Sequence, residues 1–325
     1  MKKVLITGAT GFIASHLVEA LAERYYDVRV FVHYNSRSDL GLLRCLPLQI
    51  LDKLDIVWGD LRDSDSVTRA VKGMDIVFHL GALIAIPYSY EDPSNYVQTN
   101  IVGTTNILNA CLRSSVQRLI HTSTSEVYGT ACYKPIDEKH PLQAQSPYAA
   151  SKLAADKLAL SYYMSFDLPV SVIRPFNCFG PRQSLRAIIP TILSQAIFSD
   201  EILVGNVEVS RDWTFISDLV DGFIKLAETS GLVGEVINIG TGKERSVAQV
   251  IKAIEILLDK KLKVTIDKKR FRPQKSEVYS LIADNSKAEK LIGWKSTVSF
   301  EDGLKKTIDW VKSNPSIFKN KEYVI

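Results

Sequence analysis

The 325-residue chain is poor in cysteine: Cys45, Cys111, Cys132 and Cys178 stand far apart. With no Cys-x-x-Cys pair and no histidine spacing suited to zinc, they read as reduced, mainly packing residues, and no metal site is expected. Long apolar runs are also missing, none reaching the roughly 20 residues that a bilayer-spanning helix requires. Met-Lys-Lys leads straight into a strand rather than a signal sequence, so a cytoplasmic location and no membrane partner are expected. Neither sign of charge dominates: 40 basic against 36 acidic residues give a net charge of +4. The basic residues are scattered, which argues against nucleic acid as a partner and leaves single arginines for a phosphorylated small molecule. There is no internal repeat and no low-complexity linker. What is present, 46% hydrophobic and 23% charged residues, is enough for one large α/β unit or two unequal lobes.

Residues 3–7 (KVLIT) form a β-branched and apolar run that ends in GATGFIA, after which SHLVEALAERY has helical periodicity. The unit is strand, glycine turn, helix. Further strands are expected at 28–32 (VRVFV), 55–60 (DIVWGD), 75–82 (DIVFHLGA) and 118–124 (RLIHTST), and another in PVSVIRPFN after residue 165. This alternation predicts an α/β fold, a Rossmann-type doubly wound parallel sheet. The expected division is a first domain over 1–170, with segments returning from about 210–240, and a smaller C-terminal α/β substrate lobe over 171–325. In that lobe 247–260 reads as helix and 263–267 as strand, and the ligand cleft is expected between the two parts.

Gly8, Gly11 and Ala14 make a G-x-x-G-x-x-A turn between the first strand and the first helix. Such glycines let the backbone approach a pyrophosphate, whose charge the free amides and positive helix end stabilise. Residues 1–170 are therefore expected to bind a dinucleotide. An acidic residue ending the second strand would take the adenosine ribose hydroxyls and mark NAD, but the strand leaves through Val32, His33, Tyr34 and Asn35, followed by Ser36 and Arg37. Arg37 is either a loop cation or a partner for a ribose 2′-phosphate, so NAD and NADP both stay open. Asp60, in GDLRD, is placed to accept from the adenine amino group or to cap a helix.

Residues 122–152 open with TSTSEVYG and close with SPYAASK. Ser146 is a good N-cap and Pro147 a good first helical residue, which puts Tyr148 and Lys152 one turn apart on one face. A lysine ammonium beside a phenol favours the phenolate. Such a tyrosine takes a proton from a hydroxyl while a hydride leaves the same carbon. Tyr-x-x-x-Lys alone equally describes a packed tyrosine near a solvated lysine; Thr124, Ser125, Glu126 and the glycine turn give it a redox meaning.

Together GATGFIA, GDLRD, FHLGA, TSTSEVYG, YAASK and RPFNCFGPRQ resemble the extended short-chain dehydrogenase/reductase family over nearly the whole chain, and within it the nucleotide-sugar 4,6-dehydratases. The likeness points toward bacterial enzymes acting on nucleotide-linked N-acetylhexosamines in legionaminic or pseudaminic acid pathways, with GDP-mannose dehydratases and UDP-glucuronate decarboxylases as neighbours. It implies a lyase with an internal redox cycle and a tightly bound, recycled NAD or NADP. By this resemblance Thr124 bonds the sugar O4, Tyr148 removes its proton and Lys152 holds the nicotinamide ribose. Oxidation at C4 acidifies the C5 proton, Glu126 abstracts it and helps expel the C6 hydroxyl as water, and the hydride returns to C6. Ser125 stands where glucose dehydratases carry aspartate, which leaves Glu126 itself or a bound water as the acid. The implied cofactor contacts are Gly8, Thr10, Gly11, Phe12, Ile13, His33, Arg37, Asp60, Leu61 and Leu80, with Tyr148 and Lys152.

For the substrate, a nucleotide-diphosphate sugar, the resemblance implies Asn177, Arg211 and Arg272 at the diphosphate, joined by Arg182, since guanidinium matches phosphate geometry. Pro87, Tyr88 and Ser89 lie where related enzymes contact the hexose. Ile188, Ile189 and Pro190 either form an apolar bed for the base or pack the core. A homodimer is implied, built on the helices around 101–113 and after Tyr148. Glu126 has a plainer reading, a carboxylate paired with an arginine or lysine. A C4 epimerase or oxidoreductase shares the redox machinery, and a decarboxylase adds an arginine, Arg186 or Arg272, for a C6 carboxylate. Intact Thr124, Tyr148 and Lys152 argue against a dinucleotide-sensing scaffold.

Overall fold

The computed structural model describes residues 1–318; residues 319–325, the end of the expected 171–325 lobe, lie outside the described residues. The strands, in chain order, are β1 (Lys3–Thr7), β2 (Asp27–His33), β3 (Asp55–Gly59), β4 (Ile76–His79), β5 (Arg118–Thr122), β6 (Val170–Pro175), β7 (Asn177–Phe179), β8 (Glu201–Val204), β9 (Ser210–Phe215), β10 (Val236–Ile239), β11 (Glu244–Ser246), β12 (Lys263–Ile266) and β13 (Ser280–Leu281). Seven of them form one parallel sheet in the order β10-β6-β5-β4-β1-β2-β3. β1 carries the apolar run Val4–Ile6 and β6 is buried along its whole length, because helices cover both faces of a parallel sheet. Alternation along β1 divides the core: Val4 and Ile6 join Leu17 and Leu21 of the helix Phe12–Glu23 and Leu219 of Ile216–Glu228. Leu5 faces the opposite way, with Val67 of Ser64–Val71, Ile107 of Gly103–Arg113 and Ala159 of Pro147–Phe166.

The strand order reverses where β1 pairs with β4, with Thr7 opposite His79. In doubly wound sheets ligands bind at the carboxyl ends of the strands flanking that reversal. Here those ends are Gly8 and Leu80–Gly81.

The chain returns to the sheet after residue 170, through β6 and then through Ile216–Glu228 and β10. The remaining strands form a small sheet, β11-β9-β13 with β7 beside β9, and a separate parallel pair, β8 and β12. Three helices back them, Ile188–Phe198, Val247–Leu258 and Phe300–Ser313. One apolar core runs through both parts, from Val4 to Leu304. No helix among the described residues is long and apolar enough to cross a membrane. The cysteines are free; Cys111 is buried, but Cys132 is exposed rather than packed.

Candidate active site

The glycine turn has the shape its sequence requires. Gly8 sits at φ +67°, and a Cβ built there would lie 2.6 Å from Gly81 Cα. Gly11 caps the helix Phe12–Glu23 without any side-chain hydrogen bond, so the first amides of that helix keep no side-chain partner. A backbone cradle that a single Cβ would fill, at the positive end of a twelve-residue helix, fits a pyrophosphate. Ile13 and Phe12 begin that helix, and Leu61 packs against both Gly81 and Gly103. A Gly8→Ala variant is expected to carry about 1–2 kcal/mol of left-handed backbone strain besides the clash. Its thermal melt should lose the rise in Tm that added dinucleotide gives the parent.

Beyond β2 lies an open cavity of about 440 Å³ lined by Thr10, His33, Asn35, Ser36, Arg37, Asp39 and Gly41. Asn35 organises its rim: its Oδ1 accepts from the amides of Arg37 (3.1 Å) and Asp39 (2.9 Å). Asp39 is an acid that the reading of the strand end overlooked, because the loop carries it six residues past His33. Its Oδ1 accepts from the Gly41 amide at 2.9 Å and lies 3.6 Å from Arg44 Nε. Asp60 is held by Arg62, with Nε 3.0 Å from each carboxylate oxygen, and His33 lies 3.6 Å away. The guanidinium keeps the Asp60 carboxyl below its usual range. The capping role considered for Asp60 belongs to Asp63, which accepts from the amides of Asp65 and Ser66.

β5 delivers the candidate catalytic segment. Thr124 caps a short 3-10 turn, Ser125–Tyr128, accepting from the Glu126 amide at 3.2 Å. Ser146 caps the helix Pro147–Phe166 through the Ala149 amide at 3.1 Å, with Pro147 at its first position, so Tyr148 and Lys152 fall on one inward face. Asn100 joins this helix to the cofactor crevice: its side chain bonds the Leu83 amide and carbonyl (2.8 and 2.9 Å) and Ser151 (2.9 Å). Nothing in the local pattern QTNIVG marks it.

Tyr148 is 7% exposed and Lys152 4%. Burial raises the phenol well above its ordinary value; the Thr124 hydroxyl, hydrogen-bonded to it, pulls it back, and the charge of Glu126 raises it further. This corrects the expectation of a lowered phenol. Both groups are taken out of water, and desolvation disfavours the charged form of each. The same burial brings Lys152 down to about 8, opposed by Asp156. Among the described residues the Lys152 ammonium has no hydrogen-bond or ion-pair partner.

On the opposite wall Arg272 Nη1 lies 3.4 and 3.3 Å from the two oxygens of Glu126. Arg272 and Arg211 also share Glu277, each 4.0 Å from its Oε1. Two of the expected phosphate-binding arginines are thus gathered beside Glu126, and Glu277, which no motif signalled, holds them together. Arg182 is not in this group: it pairs with Glu19 at 2.7 Å, because a positive φ turns it back onto the helix Phe12–Glu23. Asn177 is half-buried on β7 opposite Trp213. Ile189 is fully buried and Pro190 buried, which assigns them to the core and leaves Ile188 as the accessible member of that trio. Tyr88 reaches Tyr148 through Tyr96, with ring centroids 6.2 and 6.3 Å apart, and Pro87 starts the helix that carries it. Ser89 is fully buried and donates to Ile86 O, so it faces no ligand.

Residues 5–307 match the model of the GDP-mannose 4,6 dehydratase family. The mouse dTDP-D-glucose 4,6-dehydratase is 32% identical, over 99% of this chain and 92% of its own. A structure of UDP-glucuronic acid 4-epimerase from Bacillus cereus in complex with UDP-glucuronic acid and NAD superposes with a TM-score of 0.87 at 30% identity, over 96% of this chain and 99% of that one. DesIV, the dTDP-glucose 4,6-dehydratase of Streptomyces venezuelae, solved with NAD and TYD bound, gives 0.86 at 28% identity, over 98% and 100%. The glycine crevice and the tyrosine–lysine helix thus sit in a fold shared from end to end with these enzymes, and the chain belongs to the GDP-mannose 4,6-dehydratase family, as an enzyme of its nucleotide-sugar dehydratase and epimerase group.

Proposed function

We propose that the protein is an NAD-dependent 4,6-dehydratase of a nucleotide-linked hexose. One observation carries the reading: the hydroxyl of Thr124, the phenol of Tyr148 and the carboxylate of Glu126 converge, with the buried ammonium of Lys152 one turn along the helix from the phenol. Bound NAD would supply the electron-pair acceptor at C4 and the donor at C6, leaving no net redox change. Thr124, whose hydroxyl reaches Tyr148, orients the sugar O4. Tyr148 takes the O4 proton, and Lys152 is the cation on its helix face that favours the phenolate. Glu126 takes the C5 proton and passes it to the departing C6 hydroxyl, so one water leaves and the carboxylate is restored. Arg211 and Arg272 hold the diphosphate, an anion that competes with Glu126 and Glu277 for the same guanidinium groups.

The motif resemblance favours a UDP- or GDP-linked N-acetylhexosamine on a route to a nonulosonic acid. A homodimer through Gly103–Arg113 and Pro147–Phe166 is supported by Leu112, Met164 and Phe166, apolar side chains left exposed on those helices. A second reading, C4 epimerisation, draws support from the ion pair between Arg272 and Glu126, which neutralises the carboxylate that elimination needs. Mass spectrometry of incubations with UDP-GlcNAc, GDP-GlcNAc, GDP-mannose and UDP-glucuronate separates these. The expected result is a product lighter by one water. An unchanged mass with inverted C4 would overturn dehydration in favour of epimerisation, and loss of CO₂ would make the enzyme a decarboxylase.

A further inference from the structure

Behind the proposed catalytic pair lies a buried polar cluster to which that chemistry assigns no role. Asp156 is fully buried one helical turn beyond Lys152 on Pro147–Phe166. Its Oδ2 accepts from Ser123 Oγ (2.6 Å) and from Arg174 Nε (3.2 Å) and Nη2 (3.1 Å). Its Oδ1 has no hydrogen bond; His121 Nε2 stands 3.3 Å away without bonding geometry. One carboxylate thus fastens the helix to β6 and to the loop leaving β5, and keeps an oxygen unsatisfied.

We propose that Asp156 is the positioning residue that keeps Lys152 an ammonium ion at the cofactor site. The neighbouring groups leave no other candidate among the described residues. From β4 and β5 come His79 and His121, with ring centroids 5.6 Å apart. Burial holds both imidazoles below their ordinary range, and the Lys152 charge pushes the same way, so they stay neutral. From β6 comes Arg174, a second cation, whose Nη1 donates to Tyr128 at 3.0 Å. Tyr148 and Tyr96 are phenols that burial keeps protonated. Glu126 faces Arg272. Asp156, one turn along the same buried helix face, is therefore the carboxylate whose charge opposes the desolvation of Lys152. Coulomb attraction between buried groups is strong enough to decide a protonation state. Without it, desolvation acts unopposed on the buried ammonium and favours loss of its proton.

The inference rests on the proposed role of Lys152, and its test is built so that the two fail separately. Full-length Asp156→Asn and Ser123→Ala variants are compared with the parent in kcat against pH, and in NAD⁺ affinity against pH by calorimetry. In the parent, NAD⁺ affinity should fall as pH rises through the Lys152 pKa, because the form that holds the cofactor is the protonated one. In Asp156→Asn that fall should begin roughly one pH unit lower, a tenfold change in the protonation equilibrium. Ser123→Ala loosens the same carboxylate without changing charge and should leave the pH of the fall where it was. A uniform drop at all pH values in Asp156→Asn, or an equal shift in Ser123→Ala, would mean a merely structural role and would overturn the proposal. If Asp156→Asn does not fold, the double variant Asp156→Asn/Arg174→Met removes the uncompensated cation. An unshifted fall there also overturns it. If the parent turns over no nucleotide sugar, the catalytic reading fails, while the calorimetric series still tests Asp156.

Discussion

Replacing Tyr148 with phenylalanine is expected to lower kcat by about 10²–10⁴-fold, the range associated with losing a positioned proton-transfer group, while leaving dinucleotide binding close to the parent's. The ring is 7% exposed and packs edge-on against Tyr96 at 6.3 Å, so the change deletes one oxygen from a site whose walls stay filled. What disappears is the proton acceptor for the sugar O4 and the partner of the Thr124 hydroxyl. Because the phenol is raised by burial, the parent should also need higher pH than an exposed tyrosine with the same neighbours to reach the ionised form. Phenylalanine cannot titrate, so residual activity in the variant should lose the dependence on Tyr148 ionisation. Single-turnover measurement at several pH values checks both points; a variant with parental kcat would remove Tyr148 from the chemistry.

Most of the large domain was legible because each local rule agreed with the fold. Apolar runs marked β1 through β6, Gly8 and Gly11 marked the turn, and Ser146-Pro147 marked the start of the helix bearing Tyr148 and Lys152. Of the small sheets only β12 was legible, as the strand expected over 263–267; the other strands were not. Strands of two to six residues, such as β13 and β9, bury little alone and take their pairing from distant chain, which no local periodicity reports. The same holds within the site. Glu277 reaches Arg211 across 66 positions, and Asn100 reaches Ser151 across 51 and the Leu83 backbone across 17, so they carry no motif. The phenol was misjudged for a related reason: sequence shows which charges are near along the helix, while burial, the larger influence here, is set by the tertiary fold. Arg182 shows the converse, a motif residue whose backbone conformation turns it toward Glu19 and away from Arg211 and Arg272.

Glu126→Gln should divide the reaction in two. The substitution keeps the side-chain shape and keeps a hydrogen-bond acceptor for Arg272, now 3.3 Å from the Glu126 carboxylate, but removes the base that C5 deprotonation requires. Oxidation at C4 depends on Thr124, Tyr148 and Lys152 and should continue. With elimination blocked there is no acceptor carbon at C6, so the reduced cofactor accumulates on the enzyme in one stoichiometric burst, visible as nicotinamide absorbance, and the overall rate falls by about 10²–10⁴-fold. In the parent, Arg272 pairs with Glu126; on the proposed reading a diphosphate competes for that guanidinium, which would couple substrate binding to release of the base through one ion pair. Arg272→Lys should weaken that coupling, since a point charge cannot serve two anions with a planar fork. If Glu126→Gln turned over at the parental rate with no burst, the carboxylate would be only the partner of Arg272, and the enzyme would oxidise and reduce at C4 alone. The burst therefore discriminates between the two chemistries that the same fold supports, and it does so through the one residue on which they differ.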